Sequence, residues 1–210
     1  MQKALFRLFV SLLLASNLLA DPLPTTGDCN CADARVRGGW CPACRVGYLA
    51  GLSVPSAMLF EALDAHGHEI DLSAVRCPTC KKSSEHDGYC EVCRIGFYRK
   101  KAFFTRLTFE LARGTPLKRE ALKCEECRRH MEPTRWCERC DTGNIGNVLV
   151  SSKQGYEAAK REFERLLAAI KMLPQCEGCA LAYVMRTLCP DCRKSFDAEG
   201  LNDKPRPESP

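Results

Sequence analysis

Residues 77–97 read CPTCKKSSEHDGYCEVCRIGF, and this stretch decides how the rest of the chain is read. Two CxxC pairs, Cys77/Cys80 and Cys90/Cys93, stand nine residues apart, with Tyr89 before the second pair and Arg94-Ile95-Gly96-Phe97 after it. Cys124/Cys127 with Cys137/Cys140, and Cys176/Cys179 with Cys189/Cys192, repeat the spacing. Cys29/Cys31 with Cys41/Cys44 keeps the nine-residue spacer but opens on CxC. The second pairs begin at 41, 90, 137 and 189, a period of 47 to 52 residues that marks a repeated unit.

The flanks repeat in step. A large apolar residue precedes each second pair: Trp40, Tyr89, Trp136 and Leu188. Gly47, Gly96 and Gly143 lie three residues past the last cysteine of their sets, where a chain wrapping a metal is expected to turn with φ > 0. Tyr48, Phe97 and Phe196 occupy the next position in three sets and are expected to roof the site. Between the sets, residues 56–66, 101–113 and 155–172 carry apolar residues at helical spacing, for example Phe163, Leu166, Leu167 and Ile170. Gly67 and Gly114 are the expected stops of the first two helices.

Sixteen cysteines in 210 residues come close to the level that marks a stapled scaffold rather than a chain held by its apolar core alone. Four thiolates at tetrahedral corners suit a borderline-soft divalent ion, and paired CxxC turns facing each other across a short hairpin supply them. The expected ligands are therefore Cys29, Cys31, Cys41 and Cys44; Cys77, Cys80, Cys90 and Cys93; Cys124, Cys127, Cys137 and Cys140; and Cys176, Cys179, Cys189 and Cys192. None of the four histidines replaces a ligand, and His66 and His68 beside Glu69 read as a solvated helix end. Disulfides are the competing use of an even cysteine count in an exported chain, but they do not require one fixed spacer throughout.

Cys41-Pro-Ala-Cys44, Cys77-Pro-Thr-Cys80 and Cys189-Pro-Asp-Cys192 resemble the knuckles of zinc ribbons and, more loosely, of rubredoxins. The resemblance is confined to the cysteine clusters. Ribbons imply a structural zinc, about four ions here, and rubredoxins imply an electron-transferring iron. Rubredoxin knuckles place Gly after the second cysteine, where this chain has Arg45, Lys81, Arg94, Arg128 or Arg193, which favours zinc over iron. The fold class expected is a small metal-stapled α+β chain of four tandem zinc-ribbon-like hairpins alternating with helices. Its units are 29–48, then 55–97, 101–144 and 152–196, the last three each led by a helix, with a disordered tail over 197–210.

Residues 1–20 read as a cleaved secretory signal peptide, with Lys3 and Arg7 before an apolar stretch from Leu5 to Leu19 and a small residue, Ala20, at its end. The destination expected is secreted or periplasmic, with no membrane attachment after cleavage. Removing Lys3 and Arg7 leaves 29 basic against 26 acidic residues, a balance too mild to imply a nucleic-acid partner. No phosphate-binding glycine loop, GxSxG elbow or HExxH pair occurs, so no enzyme is expected. The leading functional expectation is an exported zinc-binding scaffold for a protein partner whose identity and stoichiometry the sequence does not specify. Metal buffering or sensing is the alternative. A disulfide-rich secreted protein, a thiol redox protein and, without export, a nucleic-acid-binding ribbon are further readings.

Overall fold

The computed structural model describes residues 29–130, 132–197 and 200–202. The signal-peptide reading falls outside these residues. The chain is a mixed α/β protein in which each cysteine set adjoins a small antiparallel sheet. The first set leads from helix α1 (Cys31–Arg37) through β1 (Trp40–Cys41), β2 (Val46–Leu49) and β3 (Leu52–Val54) to α2 (Ala57–Leu63). The second follows β4 (His68–Glu69) with α3 (Pro78–Glu85), β5 (Tyr89–Cys90), β6 (Ile95–Tyr98), β7 (Lys101–Phe103) and α4 (Arg106–Arg113). The third follows β8 (Thr115–Pro116) with α5 (Glu125–His130), β9 (Arg135–Cys137), β10 (Thr142–Ile145), β11 (Val148–Val150) and the long α6 (Lys153–Met172). The fourth has α7 (Glu177–Met185), β12 (Ser195–Phe196) and β13 (Leu201–Asn202). Sheet orders are β1-β2-β3, β4-β7-β6-β5, β8-β11-β10-β9 and β12-β13.

The nine-residue spacer does not form the expected hairpin. It carries the rest of a helix and a turn and leads, in the first three sets, into a short strand. The first cysteine pair therefore sits at a helix start, and the second begins on the last residue of that strand and ends in the turn after it. Asp87 and Gly88, a candidate hairpin turn on sequence, instead end α3, where the Gly88 N–H bonds the Ser83 carbonyl at 2.8 Å. The hairpins lie downstream. β2/β3, β6/β7 and β10/β11 close through two-residue turns, Ala50-Gly51, Arg99-Lys100 and Gly146-Asn147, with all six residues at positive φ, as type I′ turns demand.

Each of these hairpins is followed by a helix with a side-chain cap. Ser56, Thr105 and Ser152 accept from the backbone N–H groups of Leu59, Thr108 and Gly155. The second helix thus begins at Arg106, after a strand through Phe103, rather than at residue 101. Phe103 and Phe104 mimic one helical face in sequence, yet Phe103 is buried in β7 and Phe104 is exposed. The first helix stops at Leu63 with Asp64 left-handed, three residues before Gly67. Gly114 does follow the second helix, but in an extended conformation.

The glycines past the last cysteine do not make a positive-φ turn either. That conformation belongs to Arg45, Arg94, Asp141 and Arg193, directly after the last ligand. Gly47, Gly96 and Gly143 sit in strands opposite Trp40, Tyr89 and Trp136. An aromatic ring from the following helix covers each one: a Cβ would lie 2.2 Å from Phe60, 2.3 Å from Phe109 and 2.2 Å from Tyr156. The same rings pack on the cross-strand partner, with centroid separations of 5.7, 5.5 and 5.2 Å. The missing side chain is the seat for the ring.

Helix α6 joins the sets. Its buried face, Tyr156, Ala159, Phe163, Leu166 and Ala169, meets Leu49, Val54, Leu59 and Leu63 from the first set, Leu107 from the second and Ala180 from α7 in one apolar core. Within the stretch assigned to a disordered tail, β13 pairs with β12. Residues 198–199 and 203–210 lie outside the described ones.

Replacing Gly143 by Ala is expected to cost about 1–3 kcal/mol, because the methyl and the Tyr156 ring compete for one volume. Gly39→Ala, whose new carbon meets nothing closer than 3.7 Å, is expected to be near neutral. Urea denaturation midpoints check the pair, and equal losses would refute the seating argument.

Candidate metal centres

Each predicted set of four cysteines comes together in space, and in each the four sulfurs all lie within 4.8 Å of one another. All sixteen cysteines are free of disulfides. Individual Sγ–Sγ separations include 3.3 Å for Cys29/Cys44, 3.6 Å for Cys127/Cys140, 3.8 Å for Cys176/Cys189 and 3.4 Å for Cys176/Cys192. Four sulfurs about 2.3 Å from a shared tetrahedral ion stand about 3.8 Å apart, so the foursomes have the dimensions of thiolate metal sites.

The chain builds the last three centres the same way. Cys77 and Cys176 are the N-cap residues of α3 and α7, and Cys124 immediately precedes α5. Their carbonyls accept the first helical bonds, from Lys81, Ala180 and Arg128. The Cys176 sulfur accepts from the Cys179 N–H at 3.3 Å, so a thiol here does what a Ser or Asp does at an ordinary cap. The second ligand of each pair, Cys80, Cys127 or Cys179, lies buried in the first helical turn. The knuckles contribute their own N–H···S bonds, Cys93 to Cys90 and Cys192 to Cys189, each 3.4 Å.

This arrangement splits the acidities of the thiols. Cys77 and Cys124 are drawn down to about 7, chiefly by the N–H groups of Cys80 and Cys127 facing their sulfurs. Cys41 is also drawn down to about 7, chiefly by the Cys44 N–H. Burial first, then the neighbouring sulfurs, pushes Cys80, Cys127 and Cys179 up. Cys44 is pushed up to about 12, first by the thiol of Cys29. Thiols raised by crowding are those that a divalent cation converts to thiolates when it binds.

The residues following the knuckles pack as roofs in the three expected cases. Tyr48 is buried with Cys41, Phe97 with Cys80 and Cys90, and Phe196 with Cys179 and Cys189. In the third set Asn144 fills the place, fully buried, with its amide bonded to the Glu132 carbonyl at 3.0 Å. The basic residues around the third centre are not all available to balance sulfur charge, since Arg128 and Arg129 pair with Glu125 and Arg135 with Glu126. His66 and His68 join no metal cluster among the described residues. The His68 ring instead meets Asp64 at 2.6 Å and packs on Phe104.

A cleft that the sequence did not announce lies between the second knuckle and helices α6 and α7. Two adjoining cavities, about 440 and 600 Å³, share Tyr89, Arg94, Glu162, Arg165 and Arg186. Glu162 accepts from the Leu107 N–H at 2.8 Å and lies 3.9 Å from Arg186, while burial raises its carboxyl above the usual range. Arg106 stacks on Tyr89 and bonds both Glu91 and Glu110 at 2.8 Å. One side of the cleft is apolar, with Leu63, Ile95 and Val184, and the other is rich in arginine. Its members come from sequence positions 63 to 186, so no local motif marks it.

No family model, no curated protein and no solved structure matches the chain.

Each centre holds two thiols whose pKa is raised: Cys31 and Cys44, Cys80 and Cys93, Cys127 and Cys140, Cys179 and Cys192. Loading the metal-free protein with zinc at pH 7 should therefore release about two or more protons per ion, and apparent affinity should rise with pH. A pH-stat titration reads the number directly, and release near zero would contradict this picture.

Proposed function

We propose that the chain is an exported scaffold whose four cysteine foursomes each hold one structural zinc ion, and whose arginine-lined cleft receives a protein partner. The observation that carries the zinc reading is the convergence of four sulfurs, rather than two separate pairs, at every centre. Zinc suits an all-thiolate tetrahedral set without redox chemistry. Recurring spacing, N-cap cysteines and glycine-seated rings support descent of the sets from one duplicated unit. Export rests on residues 1–20, and no described helix is long and apolar enough to cross a membrane.

A structural role agrees with the size of the elements. Helices of six to nine residues and strands of two to four are marginal alone, and a structural zinc contributes an apparent binding free energy of about 10–16 kcal/mol coupled to folding. Metal handling would need centres that exchange without unfolding.

The partner reading draws on the cleft's mixed character: an apolar wall for an anchoring side chain beside guanidinium groups that suit a carboxylate.

Mass spectrometry of the purified protein under native and denaturing conditions is expected to find about four zinc ions per chain and sixteen free thiols after denaturation. Disulfides without bound metal would overturn the proposal. For the partner, the charge-reversed variant Arg161→Glu, on the exposed side of α6, should keep its metal and fold but lose tenfold or more of the affinity for whatever the wild type captures from envelope extracts. Undiminished capture would remove the cleft from the function.

A further inference from the structure

We propose that the first centre, Cys29/Cys31/Cys41/Cys44, is an exchange site that releases and accepts its ion while the other three remain loaded. The inference rests on the metal reading above and adds a second role to it.

The argument is a comparison within one molecule. In the other three sets the first ligand stands at or next to a helix cap and the second lies buried in the first turn. In the first set that register is lost. The residue whose carbonyl receives the first helical bond is Asn30, which hydrogen-bonds to the Ala34 N–H at 3.0 Å and makes no side-chain cap bond. Asn30 therefore occupies the place held by Cys77, Cys124 and Cys176, and the ligands flank it. Cys29 lies before the cap and Cys31 at the first helical position. The position where Cys80, Cys127 and Cys179 are buried is taken by Asp33, a residue exposed to solvent.

The change appears directly in solvent exposure. Each of the other centres has two buried cysteines, one partly buried and one exposed. The first has one buried, Cys41, one partly buried, Cys31, and two exposed, Cys29 and Cys44. Those two exposed sulfurs are neighbours, 3.3 Å apart, so an incoming ligand meets an open edge of the tetrahedron rather than a single corner. Release of an ion from four thiolates proceeds one sulfur at a time, and competing ligands act by trapping the partly detached state. An open edge shortens that path, whereas a buried ligand in a helix leaves only if the helix frays.

Losing this ion also disturbs little. Helix α1 buries Ala34 and leaves Val36 exposed, and the small cluster of Ala34, Cys41 and Tyr48 is separate from the main core. The first sheet is attached to that core by Leu49 and Val54 on β2 and β3, beyond the ligands. By contrast α7, which carries Cys179, contributes Ala180 to the core.

The test uses the full chain loaded with zinc and challenged with an excess of a chromophoric chelator, with far-UV circular dichroism followed in parallel. About one equivalent is expected to leave at least tenfold faster than the remaining three, before any loss of helical signal. Cys29→Ser should bind about three ions, lack the fast equivalent and keep the wild-type spectrum, whereas Cys77→Ser should retain the fast equivalent. Four equivalents leaving together, a fast equivalent that survives Cys29→Ser, or unfolding of Cys29→Ser would each overturn the proposal while leaving zinc binding intact. Failure of the wild type to hold zinc at all would instead remove the metal reading itself.

Discussion

The structure depends on bringing four sulfurs to one point between a helix start and a knuckle that follows a short strand. Both supports are short of internal stability. A helix of six to nine residues lies below the length at which helices hold alone, and a two-residue strand contributes almost nothing by itself. What the two supports share is a supply of backbone N–H groups. The cap N–H groups face Cys77 and Cys124, and the knuckle N–H groups bond Cys90 and Cys189. The N–H groups facing Cys77 and Cys124 favour thiolate there, while burial pushes Cys80, Cys127 and Cys179 toward the protonated form until a cation compensates them. The centres are prepared for a cation by opposed electrostatic pressures on neighbouring thiols.

A second device ties each of the first three knuckles to the rest of the molecule. The strand leaving the knuckle carries Gly47, Gly96 or Gly143, and the ring of Phe60, Phe109 or Tyr156 occupies the space above it. A glycine in a strand weakens it in isolation. Here the ring and the cross-strand Trp40, Tyr89 or Trp136 compensate by packing against one another. The helices bearing those rings then converge on a single apolar core around α6. Cysteine centre, glycine seat and core thus follow one another along a continuous path.

The cysteine groupings were legible because coordination imposes a rigid spacing, and every set found by counting is also a set in space. The four short helices at the first cysteine pairs show no apolar period in so few turns. The three helices between the cysteine sets were legible from apolar periodicity, but their starts were not. Phe103 and Phe104 carry the periodic signal into what is a strand, and Thr105, the residue that stops the strand and caps the helix, reads as an ordinary polar residue. The type I′ turns were hidden because Arg99-Lys100 and Ala50-Gly51 lack the Asn-Gly signature that such turns favour. A repeated glycine has two physical meanings in a sequence, positive φ or room for a ring, and at Gly47, Gly96 and Gly143 it is the second. Arg45, Arg94 and Arg193 bear the positive φ that a glycine was expected to bear. The arginine cleft stayed hidden because its residues are neighbours only after α6 and α7 pack beside the second knuckle.

The fourth set shows which features belong to coordination and which to packing. It has the N-cap cysteine, the buried second ligand and the positive-φ residue Arg193 after the knuckle, all of which the sulfur arrangement needs. Among the described residues its short strand β12 pairs with β13, and no capped helix follows as it does in the other three sets. The glycine position holds Ser195, and the large aromatic opposite it is replaced by Leu188, which is 42% exposed. The residues at the glycine and cross-strand positions therefore change together, while the four ligands do not change. The first set shows the reverse: Gly47, Phe60 and Trp40 are all present, and the departure lies at the ligands themselves. Coordination and packing are separable modules in this chain, and each terminal set has relaxed a different one.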